Sequence, residues 1–201
     1  PVGLISGAGS GWDQPLLSDL YYLERALKPF TEIRRGDLGD LLNRPLAVLF
    51  LSDPGRLTVA GRQRLENWIK AGGVAVRFAG PLLAKATGED GEEPLLPVGL
   101  RRGDRVIGGA MSWRDPAKLA PFEASSPFHG LSVPDDVTVN RQVLAQPALD
   151  LAEKTWARLD DGTPLVTAER RGKGWLVLVH TTANAQWSNL PFSGLFVDML
   201  R

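Results

Sequence analysis

The sequence predicts an α/β fold: a flavodoxin-like, mostly parallel sheet flanked by helices, with a β-rich insertion and a C-terminal β-meander. Three observations predict it. Strand-like and helix-like segments alternate from residue 2 to residue 78, the run Leu46–Leu51 is continuously apolar, and residues 155–180 hold three strand-like segments joined by glycine turns. We expect the 201 residues to form a single α/β domain, 1–201, with the insertion at residues 81–150.

The N-terminal segments follow from local patterns. Val2–Ser6 is a short apolar strand that leads into the glycine-rich loop Gly7–Gly11. Asp13 and Pro15 are the kind of cap and early proline that begin a helix. The apolar stripe of that helix consists of leucines spaced by four, three and four residues: Leu16, Leu20, Leu23 and Leu27. The alternation of Phe30–Arg35 then predicts a strand near an edge of the sheet.

The next segments indicate a covered parallel sheet. The leucines of segment 38–42 predict a short helix, and Leu46–Leu51 predicts a central strand covered on both faces. Thr58–Ala71 has an apolar and a charged face, which predicts a helix that Gly72-Gly73 ends. Val74–Phe78 predicts the next strand. Parallel strands joined by helices in this order are typical of an α/β sheet.

The predicted insertion lacks helical periodicity. Segments 98–102 and 105–107 flank a turn at Gly103, which predicts a hairpin. Residues 116–134 are rich in proline, serine and alanine and predict irregular structure, whereas 137–144 alternates like a strand.

The C-terminal part predicts a three-strand meander followed by a helix. The strand-like segments 155–159, 164–169 and 175–180 are separated by glycine-containing turns. Residues 190–200 predict the closing helix. Its expected apolar face consists of Phe192, Leu195, Phe196 and Met199.

Composition excludes several classes of function. Lysine plus arginine and aspartate plus glutamate both number 23, which argues against a nucleic-acid module that binds through bulk charge. Cysteine is absent, so disulfides, thiolate zinc sites and a cysteine nucleophile are excluded. The longest apolar run, Leu46–Leu51, is far shorter than the roughly 20 residues that span a bilayer. We expect this segment, which begins at Pro1, to be part of a longer protein.

The glycine-rich loop is one candidate ligand site. Backbone N–H groups at a helix start attract anions, which makes Gly9, Ser10 and Gly11 candidates for binding a sugar or an anion. A dinucleotide fingerprint that starts at Gly7 would need glycine or alanine where Trp12 stands. A tight turn without a ligand is the alternative interpretation.

Polar residues after the predicted strands are candidates for catalysis. Ser52, Asp53 and His180 follow strands, and Asn184 lies close behind, at the end of the sheet where α/β folds place their sites. They predict, as one alternative, a hydrolase or transferase with a non-cysteine site. The other interpretation of His180 is a partly buried histidine that bonds to the backbone, because no nearby carboxylate or thiol is arranged to use it. The chain has no Gly-x-Ser-x-Gly elbow. No cofactor and no metal site is predicted, because the acidic pairs lie in predicted turns where solvated charge is the default.

Loop tryptophans are candidates for partner contacts. Trp12, Trp113 and Trp187 lie in or beside predicted loops. Tryptophan is enriched at interface hot spots. If the domain works by contact, we expect a partner surface of exposed aromatic rings rather than of charge. The alternative interpretation is that each of these tryptophans closes the end of a core, since large aromatic side chains are highly buried on average.

Several motifs carry a resemblance to a known superfamily. The helix that ends in Gly72-Gly73 and the strand and turn Val74–Gly80 resemble the class I glutamine amidotransferase-like superfamily. Ala157–Val166 followed by Arg171–Val177 resembles its non-catalytic members, such as the amidotransferase-like domain of some β-galactosidases. The resemblance implies a flavodoxin-like fold.

The superfamily's catalytic residues do not carry over to this chain. Active members place a cysteine at the elbow after the strand that matches Val74–Phe78, where this chain has Ala79 and Gly80. They also place glutamate two residues after the catalytic histidine, and Thr182 stands there if His180 is that histidine. The resemblance therefore implies a non-catalytic member.

A second resemblance, to a smaller group of proteins, implies the kind of protein in which this domain occurs. Four segments resemble the middle domain of large bacterial membrane proteins, which have a BatA-like transmembrane region and a DUF4159-type C-terminal domain: 49–53, 76–81, 136–143 and 187–191. It implies a binding or assembly module of a membrane-anchored bacterial protein, soluble on one side of the inner membrane. Its partners would be other domains of that protein or a protein complex, and not nucleic acid.

Overall fold

Strands and helices alternate through the N-terminal part of the chain. The computed structural model describes residues 1–7, 18–87, 95–108 and 115–201. In chain order the first elements are β1 (Val2–Ser6), α1 (Tyr21–Leu27), β2 (Ile33–Arg35), α2 (Leu38–Leu42), β3 (Val48–Ser52), α3 (Val59–Ala71), β4 (Val74–Phe78) and α4 (Pro81–Ala86). The predicted helix start at Asp13 and Pro15 lies outside the described residues.

The later elements are mostly strands. They are β5 (Arg105–Val106), β6 (Ala117–Lys118), β7 (Thr138–Val139), β8 (Arg141–Gln142), β9 (Thr155–Arg158), β10 (Pro164–Arg171), β11 (Gly174–Val179) and α5 (Gly194–Leu200).

In the described part of the chain, seven strands form the central sheet, in the order β2-β1-β3-β4-β11-β10-β9. The first five are parallel to one another, and β10 and β9 extend the sheet in antiparallel fashion. The parallel strands have the 2-1-3-4-5 order of flavodoxin-like folds. The predicted fold class is therefore confirmed, with β2 at an edge of the sheet and the meander β9–β10–β11 joined to it through β11.

The register brings the carboxyl ends of the parallel strands into one row. Ser6 pairs with Ser52, Ser52 with Phe78, and Phe78 with Val179. The residues that follow these strands therefore meet along one edge, which we call the carboxyl edge.

Local capping sets the bounds of α3. The Thr58 hydroxyl accepts a hydrogen bond from the N–H of Gly61 at 3.1 Å, and Gly72 ends the helix at a φ of 128°. A Cβ on Gly73 would lie 2.5 Å from the Trp68 ring, so the chain can turn into β4 only with glycine there. The helix begins one residue later than predicted.

Alternate residues of the strands face two separate cores. On one side, which we call the α3 face, α2 and α3 bury the sheet with residues such as Leu41, Leu65 and Ile69. On the other, the α5 face, α1 and α5 do so with residues such as Leu23 and Phe196. Each buried aliphatic side chain of this kind contributes about 1.5–3 kcal/mol.

The predicted hairpin around Gly103 is wrong. Arg105 pairs with Gln142 in β8, and Leu100 forms a bridge with Ala145. The strands of the insertion therefore pair with distant segments and form two small antiparallel sheets, β5–β8 and β6–β7, outside the central sheet.

The closing helix is shorter than predicted. Residues Leu190–Phe192 form a 3-10 turn, and α5 begins only at Gly194. Ser193 is extended and its side chain accepts a hydrogen bond from the N–H of Phe196, so it caps a new helix and does not continue an old one. As a result, Phe192, predicted to face the core, is 62% exposed.

None of the described helices is both long enough and apolar enough to pass through a bilayer.

Candidate functional site

Asp53 occupies a special backbone position at the carboxyl edge. It follows β3 directly, and among the residues that the structure describes it is the one non-glycine residue with a positive φ, 42°. Its Oδ2 accepts a hydrogen bond from the N–H of Leu82 and its Oδ1 accepts one from the N–H of Leu83, both at 2.8 Å. Asp53 thus caps the start of α4 from a neighbouring strand.

Two glycines let the backbone close around Asp53. A Cβ on Gly80 would lie 2.4 Å from the Asp53 carboxylate, and a Cβ on Gly7 would lie 1.8 Å from its carbonyl oxygen. The N–H of Gly7 also donates to the Ser52 carbonyl at 2.9 Å. Turns after β1, β3 and β4 therefore meet at Asp53.

Asp19, just ahead of α1, adds a second carboxylate to this edge. The side-chain amide of Asn184 donates to Asp19 Oδ1 at 2.7 Å, and the Ser6 hydroxyl donates to Oδ2 at 3.4 Å. Burial raises the pKa of Asp19, the negative charge of Asp53 raises it further, and the hydrogen bonds from Asn184 and Ser6 oppose the rise. The carboxylates of Asp19 and Asp53 therefore lie at the same edge, where burial removes part of the hydration of both.

A buried arginine lies near Asp53. Arg77 of β4 is fully buried, and its guanidinium donates to the carbonyls of Leu95 at 2.5 Å and of Gly55 at 3.1 Å. Burial lowers the pKa of Arg77 to about 10, which still leaves it charged at neutral pH, and Asp53 opposes the shift. Burial also raises the pKa of Asp53, against the Leu82 and Leu83 amides and Arg77. The Leu82 and Leu83 amides, and after them the positive charge of Arg77, thus offset the cost of burying the Asp53 carboxylate.

His180 is locked inside the fold. It is fully buried, with Nδ1 2.9 Å from the carbonyl oxygen of Val143 and Nε2 2.9 Å from the Thr167 hydroxyl. Because a carbonyl can only accept, Nδ1 carries the proton and Nε2 accepts from Thr167. Burial lowers the pKa of His180 to about 4, against the Val143 hydrogen bond, so the ring is neutral at pH 7.

The other predicted site residues have structural contacts. Ser52 is buried at the end of β3, where its carbonyl accepts from Gly7. Thr182, in the position of the superfamily's glutamate, donates to the Asn184 carbonyl at 3.1 Å and accepts from the N–H of Trp187 at 3.3 Å. Thr182 therefore closes a turn.

The structure brings together some of the predicted residues and not others. Asn184 bonds to Asp19 and Asp53 is near enough for its charge to raise the pKa of Asp19, whereas the hydrogen bonds of His180 run to Val143 and Thr167. The ligand-loop candidates Gly9, Ser10 and Gly11 lie outside the described residues, as do Trp12 and Trp113.

Trp187 is not an exposed contact. Its side chain is only 2% exposed, and the Arg141 guanidinium lies over its ring at 5.2 Å. Its carbonyl accepts hydrogen bonds from the N–H groups of Asn140 and Arg141, which hold it against the insertion. The expectation that Trp187 offers an exposed ring to a partner is therefore wrong.

Sequence reasoning missed Asp19 and Arg77. Arg77 had a signal, because a charged residue in the middle of a strand covered on both faces must find a buried partner. Asp19 had no comparable local signal, since its neighbours Asn184 and Asp53 are distant in sequence.

Comparison with known proteins identifies the fold. The sequence matches no protein-family model and no curated protein. Among solved structures, the cytoplasmic protein STM3548 from Salmonella typhimurium is 14% identical over 99% of this chain and 95% of its own, with a TM-score of 0.67. The cytoplasmic protein STM1381 from Salmonella typhimurium LT2 is 12% identical over 98% of this chain and 92% of its own, with a TM-score of 0.64.

A third similar structure is part of a much larger chain. The β-galactosidase from Rahnella sp. R3 is 17% identical over 89% of this chain, with a TM-score of 0.62, and the match covers 28% of the enzyme. At these identities the similarity shows a shared fold, found both in bacterial proteins of about this size and within a longer bacterial enzyme.

Proposed function

We propose that this chain is a non-catalytic, amidotransferase-like domain that acts as a binding or assembly module in a larger, membrane-anchored bacterial protein. The observation that carries the proposal is the environment of His180. A catalytic histidine must pass a proton to and from a nucleophile that a substrate can reach. Nε2 of His180 does bond the Thr167 hydroxyl, but both side chains are fully buried, and Nδ1 is held by a backbone carbonyl and not by a carboxylate.

The carboxyl edge supports the same proposal. Both carboxylate oxygens of Asp53 cap α4, and Asp19 is held by Asn184. Groups that could do chemistry in another member of the fold here connect β1, β3, β4 and the segment after β11. Their hydrogen bonds join these segments and so stabilise the fold.

The β-galactosidase match supports the modular part of the proposal. A fold of this kind makes up 28% of that chain, so it occurs as one component of a longer protein. A module built in this way would work through its surface, with other domains of its parent protein as partners.

The catalytic half of the proposal is tested with glutamine. The chain is incubated with glutamine between pH 5 and pH 9, and ammonia release is measured beside the His180→Ala variant. We expect no release above background from either protein. Release by the wild type that His180→Ala abolishes would overturn the proposal.

The assembly half is tested with the rest of the parent protein. The chain is mixed with the parent's other water-soluble domains and analysed by sedimentation velocity. A complex with defined stoichiometry is expected. Independent sedimentation at concentrations well above those in the cell would contradict an assembly role.

One observation favours an enzyme as the second candidate. Asp19 and Asp53 are two carboxylates with raised pKa at the edge where α/β folds place catalysis, as acid–base chemistry requires. A hydrolase or transferase of this kind would turn over p-nitrophenyl esters or glycosides and lose that turnover in Asp19→Asn. Under the first proposal, neither protein has turnover.

A further inference from the structure

An apolar cavity lies over the middle of the α5 face. Its volume is about 260 Å³. Its floor consists of valines from three neighbouring strands: Val48, Val74, Val76, Val177 and Val179. One wall is Phe196 and Met199 of α5, and the opposite wall is Phe128 with Trp156 of β9.

The cavity follows from the way the sheet is widened. Strands β10 and β9 extend the sheet beyond the five parallel strands, while α5 packs beside α1 over the other half. The chain between β4 and β9 covers the widened part with Phe128 and its neighbours, which come from an irregular segment rather than a helix. A gap therefore remains between α5 and this segment, and Val48, Val74 and Val76 in its floor are only half-buried.

The lining defines the chemistry of an occupant. Every described side chain that lines the cavity is aliphatic or aromatic, and none carries a charge. A charged or strongly polar group would lose its hydration there without gaining a partner. The floor strands β3, β4 and β11 are paired on both sides, so their backbones offer no hydrogen bonds to an added peptide strand. The occupant is therefore an uncharged molecule held by apolar contact.

The volume of the cavity and its aromatic wall limit which ligands it can hold. A closed apolar cavity of about 150 Å³ takes up benzene. This cavity is partly open to solvent, which gives a ligand a way in. At about 260 Å³, this cavity suits a molecule of roughly ten carbon atoms. The rings of Phe128 and Trp156 meet edge to face at 6.1 Å, and Trp156 contacts Trp175 at 5.2 Å, so one wall is aromatic.

We propose that this cavity is a binding site for an uncharged, apolar small molecule of about the size of a fused two-ring aromatic hydrocarbon. The ligand lies on the valine floor, with its edge against Phe128 and Trp156 and its other side against Phe196 and Met199. The site is independent of the proposed assembly role, because it needs no partner protein.

The test uses naphthalene as the probe. The chain, labelled with ¹³C in its methyl groups, is titrated with naphthalene and followed by NMR. Saturable shifts are expected at the methyls of Val76, Val177 and Met199, because the ring current of a bound aromatic molecule acts only on nearby groups. Saturation without shifts at these three residues, or no saturation up to the solubility limit, would overturn the proposal.

Filling the cavity locates the site. Val76→Trp places a ring in the floor and is expected to weaken naphthalene binding by about tenfold or more. The matched control is Val59→Trp, at a residue of α3 that is 74% exposed and lies outside the cavity, and it should bind like the wild type. Met199→Trp, which fills the cavity from α5, replaces Val76→Trp if that variant does not fold. Unchanged binding in a folded cavity-filling variant would contradict the proposal.

Discussion

The Thr167 hydroxyl donates a hydrogen bond to Nε2 of His180 across 2.9 Å, from β10 to the residue that follows the adjacent antiparallel strand β11. Both side chains are fully buried. Because the other ring nitrogen holds the carbonyl of Val143, this one imidazole ties β10, the end of β11 and the insertion together. His180 thus acts as a structural crosslink.

Removing the threonine hydroxyl should destabilise the fold. In Thr167→Val the shape is nearly kept, but Nε2 of His180 is left buried without a donor, which costs about 1–3 kcal/mol of unfolding free energy. Urea denaturation followed by circular dichroism measures the change. Thr31→Val, at a half-buried position, is the matched control and should change stability by less than about 0.5 kcal/mol. Equal stabilities of the two variants would show that the hydrogen bond contributes nothing.

Stability should fall on the acid side of neutrality because of His180. Its pKa is about 4 in the folded chain against 6.5 for the free side chain, so below pH 6.5 the unfolded chain binds a proton that the folded chain does not. The contribution is fully present above pH 6.5 and is lost as the pH falls from 6.5 towards 4. A shift of this size corresponds to about 3 kcal/mol.

A comparison with His180→Gln isolates that effect. Asp19 and Asp53, whose raised pKa values change stability with the opposite sign, are common to both proteins and cancel in the difference. The wild type should therefore lose its advantage over His180→Gln between pH 7 and pH 4. A difference that stays constant over this range would mean that His180 does not titrate as its burial requires.

The central sheet could be predicted because its signals are local. Leu46–Leu51 is a continuous apolar run and Val74–Phe78 is apolar except for Arg77, as parallel strands covered on both faces require, and β3 and β4 lie there. The start of α3 followed from Thr58 and its end from Gly72. Each of these signals acts within one turn or one strand, so no knowledge of the rest of the chain was needed.

The insertion could not be predicted in the same way. Strands of two residues have too little alternation to show which segment they pair with, and the turn at Gly103 indicated a hairpin. The pairing of Arg105 with Gln142 instead accompanies long-range contacts, such as the ion pair between Arg141 and Asp104. Tertiary contacts override a local turn signal where the strands are this short.

The candidate site was predictable only in part. The rule that sites lie at the carboxyl ends of parallel strands selected Asp53 and, with it, Asn184. It also selected His180, which follows β11 but turns its ring towards Thr167 and the insertion. Whether a residue after a strand faces solvent or the interior depends on what covers that strand, and the covering segment came from the insertion.

Neutralising Asp19 should not destabilise the chain at neutral pH. Asp19→Asn removes a partly dehydrated charge that Asp53 repels, and the new amide oxygen can still accept from Asn184. Because Asp19 is partly exposed, we expect a gain of no more than about 1 kcal/mol at pH 7. The gain should shrink as the pH falls through the raised pKa, where the wild-type carboxyl is also neutral. Urea denaturation at pH 7 and pH 4 measures both, and a clear loss of stability at pH 7 would show that the negative charge itself is needed.

The contact between Gly80 and Asp53 provides the sharpest mutational test of the carboxyl edge. In Gly80→Ala the new methyl group would lie 2.4 Å from the carboxylate that caps α4, so the cap or the turn must move, at a cost of about 1–3 kcal/mol. In an Asp53→Gly background, which keeps the left-handed backbone but removes the carboxylate, Gly80→Ala should cost much less, and a double-mutant cycle measures the difference. Gly194→Ala is the control, because a Cβ there meets nothing within 4 Å, and alanine at the first position of α5 should be neutral or stabilising. If Gly80→Ala costs the same in both backgrounds, the glycine is required by something other than the Asp53 carboxylate.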